Sequence, residues 1–137
     1  MQQETIERLL EEAQTIAVVG MTSRPSRPDH YVSAYLKDQG YRIIPVNPHE
    51  EEVLGEKAYP DLRAVPEPVD LVLLFRRPEH VPPHVEEAID IGADAVWMQS
   101  GIVNRDAARR AQEAGLDVVM DACMMIEHRR RHAGRWR

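Results

Sequence analysis

The residues best suited to chemistry lie in the loop 20–28, directly after an apolar run. This loop contains three hydroxyl side chains, the arginines Arg24 and Arg27, and backbone amides that precede a predicted helix. Amides at a helix N-terminus and guanidinium groups both favour phosphate. A second pair, Arg76 and Arg77, follows another apolar run. If these runs are strands of one sheet, four cations meet at one edge and indicate a polyanionic ligand. The alternative is a proline-rich turn with solvated arginines.

The same loop does not match a dinucleotide-binding fingerprint, which requires the pattern Gly-x-Gly-x-x-Gly. Gly20 supplies the first glycine, but Thr22 and Pro25 occupy the other two positions. A later apolar run ends at Asn47, where an NAD site has an acid that holds the ribose hydroxyls. The chain also has no Gly-Lys-Ser/Thr sequence for a nucleoside triphosphate. NAD is therefore disfavoured as the ligand.

Three arrangements that could support catalysis or metal binding are incomplete. Cys123 and His128 could form a thiol and its base, but a separation of five residues places them on different faces of a helix. Ser100 lacks the glycine two positions earlier that a hydrolase elbow requires. His128 and His132 have no evident third zinc ligand, and arginines lie between them. The sequence therefore predicts no catalytic and no metal site, and Cys123 is interpreted as a small residue near the pocket.

The apolar runs alternate with amphipathic segments, which predicts strands alternating with helices. Such alternation favours an α/β fold, here a single Rossmann-like three-layer domain with a five-stranded parallel sheet and helices on both faces. Small molecules bind such sheets outside the carboxyl ends of the strands, beside strand one. Asp29 is expected to cap the second helix and Asn104 a later one. The predicted strands are 15–19, 41–46, 69–75, 95–98 and 116–120, and the predicted helices are 3–13, 29–36, 78–91 and 104–114.

Composition narrows the possible partners. All 23 acids but only 12 of the 17 basic residues lie in the first 128 residues, giving that part a net charge of −11, while the predicted basic tail 129–137 carries +5. An acidic body argues against nucleic acid as the main partner. No apolar run is long enough to span a membrane, and one cysteine fits a reducing compartment, so we expect a cytoplasmic protein. Fifteen arginines against two lysines are compatible with a thermophilic source.

Six segments together resemble the stand-alone CoA-binding protein family, whose domain is similar to the N-terminal CoA-binding domain of the succinyl-CoA synthetase alpha subunit. They cover nearly all of the chain before the basic tail. The matching segments are AVVGMTSRPSRP (17–28), IPVNP (44–48), LGEKAYPDL (54–62), PVDLVLLFRRPE (68–79), GADAVWMQSGIVN (92–104) and MDACMMIEH (120–128). The resemblance implies a single domain over 1–137 that binds coenzyme A across the carboxyl edge of the sheet.

The resemblance also implies which residues would contact coenzyme A. The turn at Gly20 would let the ligand pass, and Arg27 would be a charge partner nearby. The phosphates would be wrapped by Thr22, Ser23, Arg24 and Pro25. The adenosine end would be bordered by Val46, Asn47 and Pro48, the middle of the ligand by Phe75, Arg76 and Pro78, and the pantetheine arm by Met98, Gln99, Ser100 and Gly101.

Three functional hypotheses remain open on the sequence. The first is a CoA-binding or acyl-CoA-binding protein without catalytic machinery of its own. The second is an enzyme that acts on a CoA thioester through Cys123 or a histidine. The third is an interaction protein that responds to NAD or another nucleotide. The synthetase needs a second alpha-subunit domain with a phosphorylated histidine. We expect no such domain here, which favours the first hypothesis.

Overall fold

The computed structural model describes residues 2–133, in which five α-helices alternate with the strands of a parallel sheet. None of these helices is both long and apolar enough to cross a bilayer. In chain order the elements are α1 (Gln2–Glu12), β1 (Thr15–Val19), α2 (Pro28–Asp38), β2 (Arg42–Val46), β3 (Glu52–Val53), β4 (Glu56–Lys57), β5 (Leu71–Leu74), α3 (Val81–Asp90), β6 (Ala95–Met98), α4 (Arg105–Glu113), β7 (Asp117–Val119) and α5 (Met124–Ala133).

The main sheet has the strand order β2-β1-β5-β6-β7, with every pair parallel. The chain moves outward from β1 to β2 and then returns to the other side of β1 to form β5. The direction of winding therefore reverses between β1 and β5, which is the position where such sheets bind ligands. The predicted fold class is confirmed.

Alternating side chains of the strands divide the core into two layers. Ile16 and Val18 of β1 face the layer formed with α1, α2 and α5, whereas Ala17 and Val19 face the layer formed with α3 and α4. A strand that is buried on both faces has to be apolar, and this explains the uninterrupted apolar run 16–19 in β1. The sheet is thus rigidly held from both sides, and its carboxyl edge supports the loops that carry polar residues.

Two predicted helix starts have different outcomes. Asn104 caps α4, since its Oδ1 accepts a hydrogen bond of 2.9 Å from the backbone N–H of Ala107. The expected cap at Asp29 is wrong, because α2 begins at Pro28 and its N-cap position is Arg27, two residues before Asp29. Proline fits the first position of a helix because its fixed φ suits it and its missing N–H is not needed there, so Pro28 moves the start of α2.

Two further segments differ from the expected pattern. The region 47–60, expected to be a polar connection, contains a short antiparallel hairpin in which the two-residue strands β3 and β4 pair. Residues 129–133 of the predicted basic tail continue α5, where the Arg131 side chain is 19% exposed and pairs with Glu11 at 2.8 Å. Residues 134–137 of that tail lie outside the described residues.

Candidate functional site

Gly20 ends β1 and turns the chain at the centre of the carboxyl edge. Its φ is +89°, and a Cβ atom placed there would lie 2.5 Å from the carbonyl oxygen of Phe75. The Gly20 N–H donates to Val46 and the Phe75 N–H donates to Val19, so backbone from three strands meets at this turn. The glycine is therefore required by the close approach of the Phe75 backbone itself.

The loop after Gly20 is organised by the buried carboxylate of Asp29, which is 2% exposed. Its Oδ1 accepts hydrogen bonds from the backbone N–H of Thr22 at 2.8 Å and from the Thr22 hydroxyl at 2.6 Å. Its Oδ2 accepts from Nε of Arg27 at 2.9 Å. The Thr22 hydroxyl already donates its proton inside the protein, so Asp29 fixes the shape of the loop.

The loop is also tied to the end of β2. The side-chain amide of Asn47 donates to the carbonyl of Met21 at 3.1 Å. The backbone N–H of Ser23 and its hydroxyl both donate to Oε2 of Glu50, at 3.0 and 3.3 Å. The Glu50 carboxylate thus occupies the backbone amide and the hydroxyl of Ser23, two donors that could otherwise bind an anionic ligand.

A groove of about 500 Å³ opens beside this loop, between the carboxyl ends of β5 and β6 and the first turns of α2 and α5. We call it the carboxyl-edge groove. Its polar lining is Arg27, Asp29, Arg76, Arg77, Gln99 and Ser100. The rest of its lining is Pro28, Tyr31, Val32, Phe75, Ile102, Cys123, Met125 and Ile126.

The charge of the groove comes mainly from its arginines. Arg27 is paired with Asp29, whereas Arg76 and Arg77 are exposed and form no salt bridge within residues 2–133. The nearby His84 does not add positive charge at neutral pH, because burial lowers its pKa below the usual 6.5, and the charges of Arg76 and His80 lower it further against the opposing effect of Glu87. Two unpaired guanidinium groups are therefore available to an anionic ligand.

The first turn of α5 lines one side of the groove and is tied to the end of β6. Gln99, which is 4% exposed, accepts a hydrogen bond of 3.0 Å from the backbone N–H of Met124 through its Oε1. Its Nε2 group makes no hydrogen bond to any described residue. Cys123 stands at the start of the same helix, since its carbonyl accepts from the N–H of Glu127. The groove thus combines a buried amide and a thiol with the arginines at its rim.

The groove brings together five of the residues predicted from the sequence, namely Arg27, Phe75, Arg76, Gln99 and Ser100. The other predicted residues do not line it. Thr22, Ser23 and Asn47 are engaged in the hydrogen bonds described above, Val46 and Met98 are buried strand ends, and Arg24, Pro25 and Pro48 are exposed. Pro78 begins a short 3₁₀ turn and accepts from Asn104, and the N–H of Gly101 donates to Asp121 at 2.7 Å.

Cys123 and His128 do not form a thiol–imidazole pair. Cys123 lines the carboxyl-edge groove, whereas His128 lines a separate cavity of about 610 Å³ at the amino ends of β1 and β2. Nδ1 of His128 lies 2.7 Å from the Tyr35 hydroxyl, and the ring stacks on His132. Burial lowers the pKa of His128, and the charges of His132 and Arg131 lower it further.

Sequence reasoning missed the contribution of helices α2 and α5 to the groove. Tyr31 and Val32 come from α2, and Met125 and Ile126 come from α5. The available signal was their position in the first turns of helices that follow strands β1 and β7, since these turns lie at the carboxyl edge.

Comparison with known proteins assigns the family. A family model described as a CoA binding domain matches residues 14–129. The chain belongs to this CoA-binding domain family. The uncharacterized protein YneT of Bacillus subtilis is 42% identical over 123 residues, which is 90% of this chain and 91% of that protein. A hypothetical protein of Pyrococcus horikoshii OT3 has a solved structure that matches with a TM-score of 0.91 and 42% identity, covering 95% of this chain and 92% of that one.

The CoA-binding domain family also extends into larger enzymes. The alpha subunit of an ADP-forming acetate–CoA ligase II from Pyrococcus furiosus is 42% identical over 60 residues. The match covers 43% of this chain and 13% of that subunit. The expected resemblance to a CoA-binding domain with a succinyl-CoA synthetase-like fold is confirmed, and the domain occurs both by itself and as part of CoA ligases.

Proposed function

We propose that this protein binds coenzyme A or an acyl-CoA in the carboxyl-edge groove. The observation that carries the proposal is the position of the groove, at the reversal point of a CoA-binding domain, with Arg27, Arg76 and Arg77 along it. Coenzyme A carries several phosphate charges at one end, and arginine is suited to phosphate because of its planar array of donors. The rest of the chain is acidic, so an anionic ligand is attracted to this cluster of arginines and repelled by most of the remaining surface.

The ligand has two distinct parts, and the groove offers a matching surface to each. The phosphates lie near Arg76 and Arg77, which have no salt-bridge partner within residues 2–133. The pantetheine arm, which is amide-rich and mostly uncharged, lies along the end of β6, where the buried Gln99 and the exposed Ser100 supply polar atoms. The loop at Thr22–Pro25 and the end of β2 at Val46–Pro48 border the phosphate and adenosine side. Ser23 can donate to phosphate once Glu50 has moved away from it.

The protein acts as a binding module without catalytic machinery of its own. Thioester chemistry needs a nucleophile held close to a base, together with donors for the developing oxyanion. Cys123 and His128 line different cavities, so the structure offers Cys123 no such base in His128. ADP-forming acetate–CoA ligase activity belongs to much larger proteins, in which the matching part is a small fraction.

The alternative is an enzyme in which Cys123 attacks a CoA thioester, and the position of this thiol in the groove favours it. Incubation of stoichiometric protein with acetyl-CoA distinguishes the two functions. The measurement is free CoA rather than total thiol, because transfer of the acetyl group to Cys123 consumes one thiol for each CoA released. A binding module releases free CoA no faster than buffer does. Faster release that disappears in Cys123→Ala, while CoA binding persists, establishes the enzyme.

Titration calorimetry tests the proposed ligand. We expect CoA to bind with a dissociation constant of about 1 µM or below, and NAD to bind at least about tenfold more weakly because the NAD fingerprint is absent. The variant Arg76→Gln/Arg77→Gln weakens CoA binding by about 10- to 100-fold, which corresponds to about 1.4–2.7 kcal/mol. Arg109→Gln, an exposed arginine on α4, removes one positive charge away from the groove and leaves the affinity unchanged. Equal affinities for CoA and NAD would refute the assignment.

A further inference from the structure

The two sides of the carboxyl-edge groove differ in chemistry. One side carries the arginines that follow β5, Arg76 and Arg77, and the other is formed by apolar side chains of α2 and α5. Tyr31 is 44% exposed and Ile126 is 47% exposed, and both line this groove. Among the described residues, just one other large apolar side chain, Val103, is more than a third exposed, at 38%. Most of the exposed large apolar side chains thus lie at one ligand-sized groove.

An apolar wall of this kind exceeds what coenzyme A itself requires. The pantetheine arm consists mainly of amides and short methylene segments, and Gln99 and Ser100 already face it with polar atoms. Ile102, Met125 and Ile126 add aliphatic and thioether surface beyond these two residues. Methionine adapts to irregular apolar ligands because its side chain is unbranched and flexible. Leaving such surface exposed has a free-energy cost that an apolar ligand group would remove.

We infer that the groove recognises acyl-CoA thioesters with an apolar acyl chain in preference to coenzyme A, the chain lying between Tyr31 of α2 and Ile126 of α5. This inference rests on the proposed function, because the CoA part of the ligand has to be held by the arginines first. Charge complementarity and the apolar wall together select a molecule that is anionic at one end and apolar at the other. The carboxyl-edge groove therefore distinguishes acylated CoA from free CoA.

The test is a pair of calorimetric titrations with CoA and hexanoyl-CoA on the full chain. We expect hexanoyl-CoA to bind about tenfold more tightly than CoA, equivalent to roughly two buried methylenes. In Tyr31→Ser/Ile126→Ser the ratio of the two affinities falls below about threefold, because the acyl chain loses the surface that it contacts. The matched control is Val103→Ser, which removes the exposed apolar residue outside the groove and keeps the tenfold preference.

The possible failures are distinguishable. If neither ligand binds, the proposed function fails and the inference fails with it. If CoA binds and hexanoyl-CoA binds no more tightly, the function stands and the inference is overturned. Equal weakening of both ligands in the Tyr31→Ser/Ile126→Ser variant would show that the wall serves the pantetheine arm. Sedimentation of the wild type as a dimer, with the same variant a monomer, would overturn the inference by making the wall an interface between two copies.

Discussion

Replacement of Asp29 by alanine removes the carboxylate on which the first loop depends. Two hydrogen bonds from Thr22 to this buried carboxylate are lost, and each bond to a charged group contributes about 1.5 kcal/mol or more. The ion pair with Arg27 adds less than about 1 kcal/mol, because the Arg27 side chain is 53% exposed to solvent. Alanine has a higher helix propensity than aspartate, and this gain offsets about 0.5 kcal/mol of the lost stability. The expected loss in the free energy of unfolding is about 3 kcal/mol.

This loss converts into a measurable change in melting temperature. An unfolding entropy of about 2.1 cal/mol/K per residue gives roughly 0.29 kcal/mol/K for 137 residues, so Asp29→Ala should melt about 10 °C below the wild type. Asp38→Ala is the matched control, since Asp38 is an exposed carboxylate at the other end of α2, and we expect a change of less than about 2 °C. Differential scanning calorimetry measures both variants. An Asp29→Ala protein that melts within about 2 °C of the wild type would refute the reasoning.

Three further predictions concern the edge of the sheet and the last helix. Glu50→Gln should tighten CoA binding by about three- to tenfold, because it removes the anion that occupies the amide of Ser23, and unchanged affinity in calorimetry would contradict this. Gly20→Ala should lower the free energy of unfolding by at least about 2 kcal/mol in urea melts, because φ is positive at this position and the new Cβ would collide with the Phe75 carbonyl. A variant as stable as the wild type would show that the backbone at Gly20 and Phe75 can separate without cost. The free energy of unfolding should fall as the pH drops below 6.5. Burial lowers the pKa of His128 in the folded protein, so the unfolded chain binds a proton there more readily than the folded protein does. The difference in melting temperature between pH 7.5 and 5.5 should be smaller in His128→Asn, and an equal difference would exclude this ring as the cause.

The sheet could be predicted from the sequence because its strands are buried on both faces. The run at 15–19 is apolar and buried at every position after Thr15, and the observed β1 has the same bounds. The hairpin at β3 and β4 could not be predicted in this way, because Glu52, Glu56 and Lys57 show no apolar alternation. Its turn places both Leu54 and Gly55 at positive φ, and leucine is an unusual residue there. Leu54 packs against the core, and this tertiary contact has no local signature.

The candidate site could be predicted in its position but not in its contacts. The reversal of strand order places the site beside β1, and the arginines after β5 were visible as a pair. The sequence predicts a helix cap at Asp29, because the true partners of this carboxylate depend on the loop folding back over α2. The apolar wall joins Tyr31 and Ile126, which are 95 positions apart in the chain, so no local pattern could connect them.

The central claim is that CoA occupies the carboxyl edge of the sheet, and amide chemical-shift mapping by NMR tests it most directly. Titration of CoA into labelled protein should shift amides in the loop at 20–27, at 75–78, at 99–102 and in the first turn of α5, with little change at the amino edge around Gly40 and Arg42. Shifts concentrated instead around the second cavity, near Arg42 and His132, would contradict the account, as would an absence of shifts at saturating CoA.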